Sequence, residues 1–256
     1  MQKPKGPINA ALIGISGFGA RHLTELRRLR ERGQVNLVAA TVINRPEVED
    51  ACARLEAEGV RILTDYEAML DRFAGKLDLV CIPTGIAWHE PMTVRALEAG
   101  AHVYLEKPAA GTTAEVERMI AARDRAGRQV AVGFQILYTE AFHEAKRRLL
   151  SGDIGTVREV AVSGCWPRKQ SYYERNSWAG RIASGGRQIL DSPANNALAH
   201  FLIGGLFLAA SEPAEVAALP EFEAWPYRAK PIENFDTLSI LGTTEAGVRF
   251  GYHVTH

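Results

Sequence analysis

Three stretches of this chain carry residues whose types and spacing could do chemistry. The first is Glu106-Lys107-Pro108, a charged pair that abruptly ends the apolar run Val103-Tyr104-Leu105. A lysine there can bond a substrate hydroxyl, or accept its proton when burial lowers its pKa. On residue type alone it is equally a surface charge at a strand end. The second is Asp191-Ser192-Pro193-Ala194-Asn195-Asn196, with His200 four residues further on. The third has no titratable group: Gly14, Ser16, Gly17, Phe18 and Gly19 separate an apolar run (8–13) from a segment with Leu23, Leu26 and Leu29 on one face. Small residues between a strand and a helix let the backbone approach a pyrophosphate, whose charge is met by N–H groups at the helix N-terminus. The pattern resembles G-x-G-x-x-G, with Ser16 where the middle glycine is expected. Its place after the first strand favours a nucleotide site over a plain turn.

These groups need a scaffold, and up to residue 133 the chain supplies one. Apolar runs at 8–13, 35–43, 60–63, 77–82, 101–105 and 129–133 read as strands. The helical patterns between them end near Gly33, Gly59, Gly75, Gly100 and Gly127, where glycine can take the left-handed C-cap conformation. Thr112-Thr113-Ala114-Glu115 reads as a capping box. Six strands alternating with helices predict an α/β fold: a doubly wound, mostly parallel Rossmann sheet over residues 1–133.

In such a sheet ligands bind beyond the carboxyl ends of the strands, so the residues just after each strand matter most. Asn44 and Arg45 follow the second strand, where an NAD site usually has an acidic residue; none occurs between Glu31 and Glu47. Asn44 can bond a ribose hydroxyl and Arg45 can face a 2′-phosphate. This tilts the expected cofactor slightly from NAD towards NADP, with Arg45 as a solvated loop charge the other reading. Pro83, Thr84 and His89 follow the fourth strand, where Thr84 and His89 can reach a cofactor or substrate. Alternatively, His89 merely starts a helix.

Composition narrows the function classes. Lys plus Arg and Asp plus Glu number 30 each in 256 residues, so no basic excess points to nucleic acid. Cys52, Cys81 and Cys165 are dispersed and odd in number, which argues against a disulfide framework or zinc site, and no metal is expected. Residues 1–7 are short and polar with no evident signal peptide, and no apolar run reaches the ~20 residues of a bilayer span. A cytoplasmic protein without a membrane partner is the expectation.

The glycine turn with His22 after it, the 77–83 strand with His89, and Ala99-Gly100-Ala101-His102-Val103-Tyr104-Leu105-Glu106-Lys107-Pro108 together resemble the Gfo/Idh/MocA oxidoreductases. That family is named after glucose–fructose oxidoreductase and inositol dehydrogenase, and carries Glu-Lys-Pro at this point. Ser151-Gly152-Asp153-Ile154-Gly155 resembles the family's entry into its second domain, and the similarity runs to about residue 205. The resemblance implies a nicotinamide cofactor (NAD or NADP), a sugar-like or polyol-like substrate, Lys107 in the site and a cis peptide before Pro108. Gly14, Ser16, Gly17, Phe18, Gly19, Asn44, Arg45, Pro83, Thr84, His89, Glu106 and Lys107 are the expected cofactor contacts.

Residues 134–256 read as an α+β domain on an open, mainly antiparallel sheet. Strands are expected at 157–165, 215–219, 236–242 and 248–254, and a helix near 193–210. The open sheet suggests a homo-oligomer, a dimer or tetramer. The family's second half is usually longer. Here the chain stops at His256, so either it is truncated or this member lacks the last strands. Ser192 reads as an N-cap and Pro193 as the first helical residue. Family enzymes typically place an Asp, then a proton-accepting His four residues later; this sequence has Asp191 and Asn195. An amide bonds a hydroxyl but takes no proton at neutral pH. The catalytic candidates are therefore Lys107, Asp191 and Asn195, with Lys107 or Asp191 as the base. On a helix Asn196 and His200 share a face about 100° from Asn195, and His200 reads better as a structural histidine. Residues 166–181 are rich in aromatics and cations. Trp166, Arg168, Tyr173 and Asn196 are the expected substrate contacts, suited to an acidic sugar, though the stretch also reads as a subunit-packing loop.

The expected function is an NAD(P)-dependent oxidoreductase acting on a CH–OH group of a sugar, polyol or sugar acid. Alternatives are an NAD-dependent glycosidase-like enzyme using transient redox, and a non-catalytic dinucleotide- or sugar-binding protein.

Overall fold

Strand β1 (Ile8–Ile13) sets the layers of the first unit. Its alternating residues face opposite ways: Ala10 and Leu12 join one apolar cluster, Ala11 and Ile13 the other. A strand buried on both faces is the mark of a covered parallel sheet. The structure is a computed structural model describing residues 6–256; the reading of the polar start of the chain falls mostly on residues 1–5, outside the described ones. The chain divides into two compact units, Met1–Gly133 and Phe134–His256.

In the N-terminal unit β1 is joined by β2 (Val35–Thr41), β3 (Arg61–Leu63), β4 (Leu79–Ile82), β5 (His102–Leu105) and β6 (Val130–Val132). The order is β3-β2-β1-β4-β5-β6, parallel throughout, as in a doubly wound dinucleotide fold. Helices α1 (Gly19–Glu31) and α2 (Glu49–Ala57) cover the Ala10/Leu12 face through Leu23, Leu26, Cys52 and Leu55. Helices α3 (Tyr66–Arg72), α4 (His89–Glu98) and α5 (Thr113–Ala126) cover the other through Met69, Leu70, Leu97 and Met119. The strand expected to reach residue 43 ends at Thr41, and Ile43 is already exposed. The Thr112–Glu115 capping box is present, and the five helix-ending glycines all have positive φ.

The C-terminal unit begins with α6 (Glu140–Ser151), followed by β7 (Glu159–Cys165), the short α7 (Gln170–Tyr173) and a small hairpin of β8 (Ala183–Ser184) and β9 (Arg187–Gln188). Helix α8 (Ala199–Ala209) and strands β10 (Glu221–Tyr227), β11 (Thr237–Thr243) and β12 (Arg249–Thr255) complete it. The sheet order is β10-β11-β12-β7, antiparallel except for the β12–β7 pair. Its inner face, with Leu238, Phe250, Tyr252 and Val254, packs on Leu198, Leu202 and Leu206. Helix α8 comes close at Gly205, where a Cβ would lie 2.6 Å from Val162.

Two expectations fail here. Residues 215–219 form no strand: Ala217 and Leu219 pack on the core while Val216 is exposed, and the Ala217 N–H bonds the carbonyl of Leu206 in α8. The strand is instead β10, an exposed edge whose Pro226 is tolerated because an edge strand can spare a ladder N–H. The helix expected over 193–210 is split into a π-turn at Pro193–Ala197 and α8, so the 100°-per-residue reasoning about Asn195, Asn196 and His200 does not hold.

Lys146 on α6 is buried, and its ammonium donates to the carbonyls of Phe207 (2.7 Å) and Ala210 at the end of α8. This closes acceptors that a helix C-terminus leaves open. Lys146→Met should strip both carbonyls of their donor and cost about 1–3 kcal/mol, measured as a lower urea midpoint. An unchanged midpoint would mean that water replaces the ammonium at no cost.

Candidate functional site

The cleft of the N-terminal unit opens where the first turn brings helix and strand together. Gly14 and Gly17 take positive φ (91° and 55°), and a Cβ at Gly19 would sit on the Gly14 carbonyl oxygen. No side chain caps α1 and no acidic residue lies in its first turn, so no side-chain carboxylate there opposes its positive dipole end. A cleft of about 540 Å³ spreads from this turn, lined by Gly14, Ser16, Asn44, Pro83 and Thr84 among the expected contacts. Thr41, Asp65, Tyr66, Trp88 and Met92 also line it. Sequence reasoning missed these because they fall outside the residues immediately after each strand, or belong to the short β3–α3 link.

Of the other expected contacts, Gly17, Phe18, Gly19, Arg45, His89, Glu106 and Lys107 are not on that lining. Arg45 is gripped by two carboxylates, Glu49 at 2.9 and 3.0 Å and Glu56 at 2.8 and 2.9 Å. Asn44 donates to Glu47 at 2.6 Å. Glu106 is buried against His22, with Nε2 and Oε1 2.9 Å apart, and accepts from the Lys107 N–H at 3.2 Å. His22, unassigned from sequence beyond the resemblance, thus ties α1 to the end of β5. Lys107 follows β5 directly, half-buried, and the Lys107–Pro108 peptide is cis.

His89 is almost fully buried between two carbonyl oxygens, Pro108 at 2.7 Å from Nδ1 and Thr84 at 3.0 Å from Nε2. It joins the turn after β4 to the segment after β5. Burial pushes its pKa below the ordinary histidine value, against the two carbonyls and the Glu106 charge, which favour the imidazolium.

In the C-terminal unit, Asp191 is 3% exposed and organises its surroundings. Its carboxylate accepts from the Gly180 N–H and the Asn196 amide, both at 2.7 Å, and its carbonyl accepts from Asn234 at 3.0 Å. Leu190 before it has φ +50°, a strained value for a side-chain-bearing residue. Ser192 caps the π-turn through the Asn195 N–H, and the Asn195 amide turns back to the Leu190 carbonyl at 3.2 Å. Asn195 and Asn196 therefore point to different partners. His200 lies edge-on to Phe134.

The aromatic and cationic stretch forms a stack. The Arg168 guanidinium lies 4.5 Å from the Trp166 ring and 4.6 Å from Tyr172; Arg175 lies 3.6 Å from Tyr172 and 5.2 Å from Trp178. Arg168 Nε is buried without an acceptor, and neither arginine has a carboxylate partner among the described residues. Tyr173 bonds His256 at 3.1 Å. Burial, with the nearby Arg168 charge, pushes the His256 pKa down to about 4. A hollow of about 430 Å³ beside Tyr173 and Gly180 is less open to a ligand's polar groups, since its Arg181 pairs with Glu233 and its Arg228 bonds backbone carbonyls.

Residues 8–134 match the family described as an oxidoreductase family with an NAD-binding Rossmann fold. Through this unit the chain belongs to the Gfo/Idh/MocA oxidoreductase family. Inositol 2-dehydrogenase 2 of Saccharopolyspora erythraea is 33% identical over 149 residues, 58% of this chain and 42% of that protein. The dTDP-3,4-didehydro-2,6-dideoxy-alpha-D-glucose 3-reductase of Saccharopolyspora spinosa is 29% identical over 204 residues, 78% of this chain and 58% of that one. The matches thus span about half the length of these relatives. Among solved structures, the WlbA dehydrogenase from Bordetella pertussis, in complex with NADH and UDP-GlcNAcA, has TM-score 0.82 at 24% identity. That match covers 98% of this chain and 67% of that one, and shows the shared fold. No helix among the described residues is long and apolar enough to cross a membrane.

For this Gfo/Idh/MocA chain, His89 gives a pH test. In the unfolded chain it gains its proton near pH 6.5, in the folded chain only at lower pH. Stability from the neutral buried ring is therefore present above pH 6.5 and lost as pH falls, by up to about 1.4 kcal/mol per pH unit. His89→Gln should flatten this acid limb in urea unfolding between about pH 7.5 and 5.5. Parallel curves for the two proteins would show that His89 is not the group responsible.

Proposed function

We propose that this protein is an NAD-linked oxidoreductase acting on a CH–OH group of an anionic carbohydrate, a sugar acid or a sugar carrying phosphate. The observation that carries the reading is Lys107 at the carboxyl end of β5, in the same unit as the glycine turn and its cleft. The cleft suits a dinucleotide: without a Cβ at Gly19, α1 starts directly against the Gly14 carbonyl, and no acidic residue in its first turn opposes a pyrophosphate. Gly14, Ser16, Asn44, Pro83 and Thr84 would hold it. The nicotinamide supplies hydride transfer when bound.

The chain's own residues do the rest. Lys107 binds the reacting oxygen and moves its proton. Asp191 is the weaker base candidate, because the Gly180 N–H and the Asn196 amide already occupy its carboxylate oxygens. We assign it to positioning, with Asn195 and Asn196 set around it. Arg168 and Arg175, without carboxylate partners among the described residues, suit a substrate carboxylate or phosphate, while Trp166 and Tyr172 offer faces to a sugar ring. WlbA, which shares the fold, binds a nucleotide sugar acid.

The test is NADH titration by fluorescence, followed by a screen of neutral and anionic sugars with free cofactor. Lys107→Met should cut kcat by about 100-fold or more and leave NADH affinity nearly unchanged. Arg168→Ala should raise KM for the anionic substrate by about tenfold or more and spare any slow neutral one. Failure of NADH to bind would end the reading. Turnover without consumption of free cofactor would move it to transient-redox chemistry, and neutral polyols turning over as well as sugar acids would remove the anionic class.

A further inference from the structure

Resting on the NAD reading above, we infer that Glu49 and Glu56 act as a coenzyme-selectivity lock, withholding Arg45 from the cleft so that the site takes NAD and rejects NADP. In a dinucleotide-binding sheet the end of the second strand faces the adenosine ribose, and an arginine there is the usual partner of a 2′-phosphate. Taken as sequence, Arg45 therefore points to NADP. The structure reverses that expectation. Nε and one Nη of Arg45 bond both oxygens of Glu49, while its two Nη atoms bond both oxygens of Glu56. Four of the five guanidinium N–H groups are thus committed. Arg45 is absent from the lining of the cleft, whereas Asn44 beside it is on that lining.

What remains at this edge suits a ribose with free hydroxyls. Asn44 is steadied by Glu47, and its amide oxygen is an acceptor for a hydroxyl. Glu47 and the cleft-lining Asp65 put negative charge where a 2′-phosphate would bring more. Arg61 acts on Glu56, while Glu47, Glu49 and Asp65 add further carboxylates at this edge. Discrimination comes from both sides, a cation withheld and like charge retained. The glutamates sit on α2 as part of the scaffold, and both are substantially exposed, so amides can replace them without burying an unpaired group.

The experiment is a set of NADH and NADPH titrations, by nicotinamide fluorescence or calorimetry, on wild type, Glu49→Gln/Glu56→Gln and that double variant with Arg45→Ala added. Circular dichroism and melting confirm that each is folded. Wild type should bind NADH at least about 30-fold more tightly than NADPH. The double variant should narrow that ratio about tenfold or more by gaining NADPH affinity, with NADH changed less than about twofold. Adding Arg45→Ala should abolish the gain, which distinguishes a released guanidinium from a general loss of negative charge. Equal binding of both coenzymes by wild type, preference for NADPH, or an unchanged ratio in the double variant would overturn the lock and leave the oxidoreductase reading standing. If neither coenzyme binds, the functional reading falls and the lock with it.

Discussion

The close approach of Gly19 to the Gly14 carbonyl is the constraint on which the rest of the N-terminal unit depends. It starts α1 almost on top of the turn that ends β1, directing the positive end of the helix dipole to the carboxyl edge of the sheet. Once α1 is fixed there, His22 on its first turns meets Glu106 at the end of β5 across a buried 2.9 Å contact. His89 makes a second tie, from the turn after β4 to Pro108. Three strand ends are thus held by buried polar contacts whose donors and acceptors would be costly to strand. Lys107 lies between two of these ties. Its main chain is held by the scaffold itself, through the Lys107 N–H bond to Glu106.

Much of this was legible in the sequence, because the signals are local. A glycine turn between an apolar run and an amphipathic segment can be seen in a dozen residues, and so can a Thr-x-x-Glu capping box. The six parallel strands follow from repeated alternation. The long-range pairings were not legible: nothing in the spacing of His22 and Glu106, 84 residues apart, announces a contact. Arg45 shows the same limit more sharply. It does follow the second strand, yet its chemistry is decided by Glu49 and Glu56, at the start of, and about two turns along, a helix that begins after it.

The C-terminal unit was harder to read for a different reason. Its helix near 193–210 has an apolar pattern compatible with one continuous element, but the π-turn at Pro193–Ala197 inserts an irregularity that periodicity cannot reveal. The apolar residues at 215–219 resemble a strand because core-packing loops and strands bury the same side chains. The true edge strand, Glu-Phe-Glu-Ala-Trp-Pro-Tyr, carries a proline that weakens the strand signal.

The irregularity around Asp191 also bears on where a proton can go. With Leu190 in the left-handed region, the chain reverses sharply enough for the Asp191 carboxylate to receive the Gly180 N–H on one side and the Asn196 amide on the other. Both oxygens of this carboxylate are thus already committed to donors. Asn195, at the position where the family's proton acceptor usually stands, is spent on the Leu190 carbonyl and has no basic nitrogen. The local backbone and its hydrogen bonds therefore make this segment a polar anchor whose acidic and amide groups are already committed to one another and to the main chain.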